Sequence, residues 1–180
     1  VETPKMRRAA RILGHLAPEG RPVGVAQLSG SAKQSTKRGA ATSRGSYQFW
    51  LPIQTRWKDN DNYQHVNNAE YLSYFDTVIN TYLVRNCGLH LIETPTIGLC
   101  VESHVKYYQP ITFPDVIDAG LRVAQMGSSS VRYEVGVFNQ GDDTPAAEGH
   151  FVHVFVDRSS RAKADVPHRI REGLDKLRAC

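Results

Sequence analysis

Residues 56–75 read RWKDNDNYQHVNNAEYLSYF and join two segments with different hydrophobic patterns. The run before this stretch, Tyr47 to Trp57, is rich in aromatic and branched residues and predicts a strand, which Pro52 places at a sheet edge or a bulge. The run after the polar part, Tyr71 to Leu83, repeats apolar residues three and four apart, as a helix does. Its apolar surface is so broad that we expect a nearly enclosed helix.

A polar turn separates the strand from the helix. Residues 59–68 contain two Asp, one His and four Asn. Short polar side chains cap helices and hydrogen-bond to turns, so Asn67 or Asn68 is the predicted N-cap, with Glu70 in the first turn. A carboxylate beside a helix N-terminus can also do chemistry, because the free amide groups there face any bound molecule. The turn is therefore the candidate functional site.

The rest of the chain predicts four more strands and a closing helix. The stretch from Phe151 to Val156 is almost wholly apolar apart from His153, which is typical of a strand buried on both faces. A helix is predicted after Pro167, with its apolar side chains on one side. The predicted strands alternate in polarity and cover residues 99–107, 117–123, 131–137 and 146–157. One strand, a buried helix, four antiparallel strands and a last helix make an α+β protein.

The turn and the start of the helix also carry a family pattern. D-x-D-x-x-x-H-V-N-N-x-x-Y-L-x-Y-F, which spans Asp59 to Phe75, resembles the signature of hotdog-fold thioesterases of the 4-hydroxybenzoyl-CoA thioesterase family. The resemblance implies the hotdog fold, an antiparallel sheet of about five strands wrapped around one long buried helix. It covers about Tyr47 to Leu177, so we expect residues 1–46 to form a basic N-terminal extension and residues 47–180 to form one hotdog domain. Gln64 departs from the family, which usually has Gly there, so we expect a difference in the local backbone or the pocket shape.

The resemblance implies a thioesterase mechanism for two residues of the turn. Asp61, the second Asp of the pattern, corresponds to the catalytic carboxylate, which attacks the thioester directly or activates a water molecule. Asn68, seven positions later, would lend its backbone N–H to the carbonyl oxygen, in accord with the partial positive charge at a helix start. Asp59 is expected to shape the turn or to pair with Arg56.

Five further residues are candidates for substrate binding. His65, Asn67 and Tyr71 lie in or next to the turn. Each also has a purely structural alternative to substrate binding: His65 packs in the loop, Asn67 caps the helix and Tyr71 packs in the core. Ser129 and Arg132 begin a later strand, and the resemblance implies that they help to hold the phosphates of coenzyme A. A surface charge without a ligand is the alternative for Arg132.

Composition excludes several classes of function. The formal charge of +4 comes from residues 1–46, which hold nine of the 22 Lys and Arg but only two of the 18 Asp and Glu. The remaining 134 residues carry 13 basic and 16 acidic side chains, so the domain itself has no excess of positive charge for a nucleic acid. No apolar run is long enough to span a membrane. We also expect no metal, since His150 and His153 should point to opposite faces of a strand, and no cofactor, since no nucleotide-binding glycine pattern occurs.

The leading hypothesis is thus an acyl-CoA thioesterase that releases a free carboxylic acid and coenzyme A. The alternatives are an acyl carrier protein thioesterase and a non-catalytic hotdog module that binds acyl-CoA. The resemblance also implies a homodimer or a dimer of dimers with active sites between subunits. The N-terminal extension, residues 1–46, is Arg-rich, Ser-rich and acid-poor, and Lys5 to Leu16 has the pattern of an amphipathic helix. The expected location is therefore mitochondrial or cytoplasmic.

Overall fold

A computed structural model describes residues 41–178. The predictions of an amphipathic helix at Lys5 to Leu16 and of a targeting arm therefore lie outside the described residues. Short 3-10 turns occur at Arg44–Ser46 and Trp57–Asp59. The strands and α-helices of residues 41–178 are β1 (Phe49–Gln54), α1 (Glu70–Cys87), β2 (Thr96–Tyr107), β3 (Val116–Met126), β4 (Ser130–Asn139), β5 (Ala147–Asp157) and α2 (His168–Asp175).

The five strands form one antiparallel sheet in the order β1-β3-β4-β5-β2. Strands β1 and β2 are its two edges. Pro52 pairs with Asp118 in the edge strand β1, where a residue without an N–H is tolerated, as the sequence predicts. The order of these elements and the long helix α1 on the sheet confirm the α+β hotdog architecture.

Helix α1 forms the core together with one face of the sheet. Tyr74, Phe75, Val78 and Ile79 are each at most 2% exposed, which confirms the enclosed helix, although Leu72 is only half-buried. The helix ends at Gly88, whose φ of +67° is left-handed and suits glycine. The sheet residues of this core alternate along β3 and β4: Ile117, Ala119, Leu121, Val123, Val131, Tyr133, Val135 and Val137.

The described residues cover the opposite, outer face of the sheet only in part. Tyr47, Trp50 and Phe138 contact one another edge to face over β3 and β4. Arg44 lies 4.4 Å from the Trp50 ring centre and pairs with Asp118, so the segment before β1 also contacts this face. The aromatic cover does not extend over β5.

Strand β5 is therefore buried on one face rather than two. Phe151, His153 and Phe155 face α1 and are buried, but Val152 and Val154 are half-buried on the outer face. The predicted burial on both faces is wrong for these two valines, because residues 41–178 place no second layer over this part of the sheet. The structure confirms that His150 and His153 point to opposite faces.

Strand β2 contains a β-bulge that interrupts its predicted alternation. The pairing with β5 shifts between Cys100 and Glu102, so Val101 is the extra residue. As a result Leu99 pairs with Val154 of the outer face, whereas Ser103 pairs with Phe151 on the helix face. The regular alternation predicted over residues 99–107, which would put Leu99 and Ser103 on one face, is therefore wrong across the bulge.

Helix α2 covers the C-terminal end of α1. Ile170, Leu174 and the following Leu177 are buried, as their spacing predicts. The Tyr82 hydroxyl of α1 donates a hydrogen bond of 2.8 Å to the Gly173 carbonyl of α2. Among residues 41–178, no helix combines the length and the apolar content that a bilayer crossing requires.

Candidate active site

The polar turn between β1 and α1 is closed by backbone hydrogen bonds. The Asp61 N–H donates to the His65 carbonyl over 2.9 Å, and the Gln64 N–H donates to the Asp61 carbonyl over 3.1 Å. Asn60 and Val66 form an isolated antiparallel bridge on either side of this loop. The turn is thus a small hairpin that presents residues 61–65 outward.

Gln64 adopts the backbone conformation that glycine takes readily. Its φ is +67°, in the left-handed region, and its side chain is exposed. An L-residue there costs about 1–2 kcal/mol because Cβ approaches the backbone. The departure from the family pattern therefore leaves the turn in a glycine-like shape and adds local strain.

Asp59 has a structural role, because its side chain is buried and hydrogen-bonded. Its carboxylate is 0% exposed and accepts hydrogen bonds from the Arg56 backbone N–H (2.8 Å), the Arg56 guanidinium (3.0 Å) and the Tyr74 hydroxyl (2.9 Å). Burial, and next the Asp59 carboxylate, raise the pKa of Tyr74 above its usual value. The prediction that Asp59 pairs with Arg56 is confirmed.

Asp61 has a more open environment than Asp59. The residue is half-buried, and one carboxylate oxygen accepts a 2.8 Å hydrogen bond from the Tyr63 backbone N–H. That bond is an Asx-turn, which fixes the direction of the side chain. The other oxygen has no hydrogen-bond partner within residues 41–178, so it can reach a bound molecule or a water.

The start of α1 differs by one residue from the prediction. Ala69 occupies the N-cap position and not Asn67 or Asn68, although Glu70 is in the first turn as expected. Asn67 nevertheless serves this helix end: its side chain accepts from the Ala69 N–H at 3.0 Å and its carbonyl accepts from the Glu70 N–H at 2.9 Å. An Asx-turn has thus replaced the expected cap.

Asn68 presents an unused donor. It is exposed, and its backbone N–H meets no acceptor in the described part of the chain. Its carbonyl accepts a 3.0 Å hydrogen bond from the Tyr107 hydroxyl at the end of β2. The start of α1 around this N–H is therefore anchored from the sheet.

A cavity of about 270 Å³ opens beside Asn68. His65 and Tyr71 also line it, whereas Asp61 and Asn67, although part of the turn, do not line the cavity. Burial, and next the neighbouring Tyr107 ring at 5.1 Å, raise the pKa of Tyr71 to about 12. Val66 of the turn also lines the cavity. The other wall residues were not expected from the sequence, because they lie at and just after the end of β2, some 40 positions after the turn: Tyr107, Tyr108, Gln109 and Pro110.

The structure places Ser129 and Arg132 away from this cavity. Ser129 is buried in the turn before β4, at the end of β5 opposite to the one that neighbours Tyr107. Arg132 lies on the outer face, where it contacts His150 at 2.9 Å and Glu102 at 3.6 Å. Neither residue joins the turn of the same chain.

A second cavity, of about 160 Å³, lies between the C-terminal half of α1 and the other end of β2 and β5. His153 lines it. The sequence offers one signal for it, a single His within an otherwise apolar strand. No group of three or more His, Cys, Asp or Glu side chains in residues 41–178 is arranged to hold a metal ion.

Known proteins resemble the chain in sequence and in fold. A family model described as the thioesterase-like superfamily matches residues 55–174. The crystal structure of the PA5185 protein from Pseudomonas aeruginosa is 44% identical over 78% of this chain and 98% of that chain, with a TM-score of 0.76. No curated protein matches the chain significantly.

Two solved structures of thioesterases are also similar. A thioesterase from Thermus thermophilus, in complex with coenzyme A and Zn, is 30% identical over 73% of this chain and 95% of that chain, with a TM-score of 0.62. A 1,4-dihydroxy-2-naphthoyl-CoA thioesterase from Synechocystis is 16% identical over 72% and 96% of the two chains, with a TM-score of 0.66, and supports the fold alone.

Proposed function

The chain belongs to the thioesterase-like superfamily, and we propose that it hydrolyses acyl-CoA thioesters at the turn between β1 and α1. It is a thioester hydrolase, and the Thermus thermophilus relative with bound coenzyme A supports a CoA ester as the substrate. The observation that carries the proposal is an accessible carboxylate, Asp61, in the same polar turn as an unused backbone donor, the Asn68 N–H, at the start of a buried helix. The products are a free carboxylic acid and coenzyme A.

Asp61 is the proposed catalytic carboxylate. Its free oxygen either attacks the thioester carbonyl carbon, so that the CoA thiolate leaves and water then cleaves the mixed anhydride, or removes a proton from the water that attacks this carbon. Both routes need an ionised side chain with one oxygen unoccupied. The Asx-turn to Tyr63 supports this role because it leaves that oxygen available.

Asn68 is the proposed donor to the thioester oxygen. Negative charge develops on this oxygen in the transition state, and a backbone N–H at a helix start is a preorganised partner for it. The hydrogen bond from Tyr107 to the Asn68 carbonyl supports the role, since it holds this residue in place. His65 and Tyr71 line the adjoining cavity and are proposed to contact the substrate.

The other candidate residues have weaker support. Asn67 uses its side-chain oxygen for the helix start, which leaves its amide group for a substrate. Ser129 and Arg132 stay predictions as contacts for the CoA phosphates; Arg132 is the more accessible of the two, on the outer face of the sheet.

We also propose a homodimer formed through β2. This strand is an edge of twelve residues with exposed apolar side chains, Leu99 at 39% and Val101 at 61%. A long edge with apolar residues is a template for pairing with another strand. Two antiparallel β2 strands from two protomers would join their sheets into one, and two such dimers could associate further.

A panel of thioesters tests the proposed function. Short, medium, long and aromatic acyl-CoA esters, and the same acyl groups on an acyl carrier protein, are incubated with the protein while free thiol is measured. We expect turnover of at least one class of CoA ester. If no ester is cleaved but acyl-CoA raises the melting temperature, the protein is a binding module and the catalytic proposal fails.

A further inference from the structure

The second cavity has mainly apolar walls and one buried side chain whose polar atoms lack a hydrogen-bond partner among the described residues. Its volume is about 160 Å³, similar to cavities of roughly 150 Å³ that accept a benzene ring. Two other polar residues line it and already have partners: the Arg158 guanidinium donates to the carbonyls of Thr94 (2.9 Å) and Leu91 (2.7 Å), and the Asn80 amide donates to the carbonyl and the carboxylate of Asp76 (3.0 Å each). The polar group that remains is His153, and the apolar wall consists of Leu83, Leu89, Leu91, Ile97 and Phe155.

His153 has no hydrogen-bond partner in the described part of the chain. The residue is 4% exposed, and neither Nδ1 nor Nε2 is paired. The rings of Tyr133 (5.1 Å) and Phe151 (6.2 Å) flank it. Burial lowers its pKa despite the opposing charge of Asp76, so the imidazole is neutral near pH 7 and offers one donor and one acceptor.

The space beside the imidazole exists because residue 98 is glycine. A Cβ at Gly98 would lie 3.2 Å from His153 Nδ1 and 3.5 Å from a ring carbon of Phe155. A methyl group there would crowd the unpaired nitrogen from the cavity side. The glycine therefore keeps this nitrogen open to the cavity.

The cavity and the catalytic turn lie at opposite ends of β2. Tyr107 contacts Asn68 at one end, while Gly98 pairs with Phe155 and Cys100 pairs with His153 at the other. Within one protomer the separation along α1, from Asn68 to the cavity residue Asn80, is about 18 Å. In the proposed dimer, antiparallel pairing of two β2 strands brings the turn of one protomer beside the His153 cavity of its partner.

We propose that His153 is a specificity-determining residue that hydrogen-bonds to an uncharged oxygen on the distal part of the acyl group. This proposal rests on the proposed function and on the proposed dimer. The apolar wall favours a short chain or a ring. It disfavours an amine, because the charge that the described lining residues bring to the cavity is the Arg158 guanidinium, which repels a second cation. The preferred substrates are therefore hydroxylated acyl-CoA esters rather than their unsubstituted counterparts.

Matched pairs of esters test this proposal. Each straight-chain or aromatic acyl-CoA is compared with the same ester carrying a hydroxyl group near its distal end, and kcat/KM is measured for both. We expect the wild type to prefer one hydroxylated ester by at least about tenfold, because a buried imidazole would otherwise stay unpaired. His153→Leu should abolish this ratio, and His153→Gln, which keeps a donor and an acceptor, should restore part of it.

The outcomes separate the two proposals. If the wild type cleaves no CoA ester, the proposed function fails, and this substrate preference fails with it. If the wild type cleaves esters but the ratio is near one, or is unchanged in His153→Leu, only the specificity proposal is overturned.

A binding measurement checks the cavity without catalysis. The imidazole resonances of ¹⁵N-histidine-labelled protein are followed as phenol or toluene is added. We expect phenol to shift the His153 resonances at lower concentrations than toluene, and Gly98→Ala to weaken the phenol effect. Equal effects of the two compounds, or no effect of phenol, would show that His153 does not recognise an oxygen.

Discussion

Two aspartates of one short motif have opposite environments. Asp59 is fully buried and accepts three hydrogen bonds, whereas Asp61 is half-buried and keeps one oxygen free. The family pattern distinguishes their roles, but composition and spacing do not, since the partners of Asp59 are Arg56, just before the turn, and Tyr74 of α1. Substitution of Asp59 should therefore lower the stability of the fold, whereas substitution of Asp61 should lower the activity.

Replacing Asp59 should destabilise the fold. Asp59→Asn removes the charge that Arg56 pairs with and misplaces one acceptor, so the free energy of unfolding should fall by about 2–3 kcal/mol. Urea unfolding followed by circular dichroism measures this change. Asp61→Asn is the matched control and should stay within about 0.5 kcal/mol of the wild type. Equal effects of the two substitutions would contradict the structural role of Asp59.

Relieving the strain at Gln64 should stabilise the protein. Gln64→Gly removes a left-handed L-residue worth about 1–2 kcal/mol and adds chain entropy worth about 0.5–1 kcal/mol to the unfolded state, so a net gain of about 0.5–1 kcal/mol is expected. The melting temperature reports it. Gln64→Ala keeps the Cβ and should give no such gain; a gain of the same size in Ala would argue against backbone strain.

Among the helices and strands, the features that depend on local sequence patterns were predicted, whereas those that depend on strand pairing were not. Helix α1 and the five strands follow from apolar periodicity, and Gly88 ends the helix as its position indicates. The bulge at Val101 could not be predicted, because it arises from the register between β2 and β5, which are far apart in sequence. The cavity lined by Gly98 and His153 was missed for the same reason.

Tyr71, at the start of α1, makes the stability of the folded state sensitive to high pH. Its folded pKa of about 12 exceeds the value near 10 of an unfolded chain. Between these values the folded state binds more protons than the unfolded state, so stability present below pH 10 is lost as the pH rises toward 12. The loss amounts to at most about 1.4 kcal/mol per pH unit.

Tyr71→Phe should reduce that pH dependence. Unfolding free energies measured at several pH values between about 9 and 11.5 should fall less steeply in the variant than in the wild type, although other buried tyrosines contribute to both curves. The difference between the two proteins below about pH 9 gives the baseline. Parallel curves over the whole range would contradict the buried position of the Tyr71 hydroxyl.

For the whole molecule, the edge strand β2 predicts the assembly. Val101 is 61% exposed at the centre of this edge, so Val101→Lys should place a charge in the proposed interface. We expect light scattering after gel filtration to show a dimer or tetramer for the wild type and a smaller species for the variant. Val84→Lys on the exposed side of α1 is the control, and an unchanged mass in Val101→Lys would exclude β2 as the interface.

The central claim is that Asp61 performs the hydrolysis, and its direct test is the rate of Asp61→Asn on the best acyl-CoA ester. Loss of one catalytic group should lower kcat by at least about 100-fold, with folding unchanged. Asn62→Ala, an exposed neighbour in the same turn, should retain nearly full activity. An Asp61→Asn enzyme that keeps its activity, while Asn62→Ala behaves as the wild type, would show that the carboxylate of this turn is not catalytic.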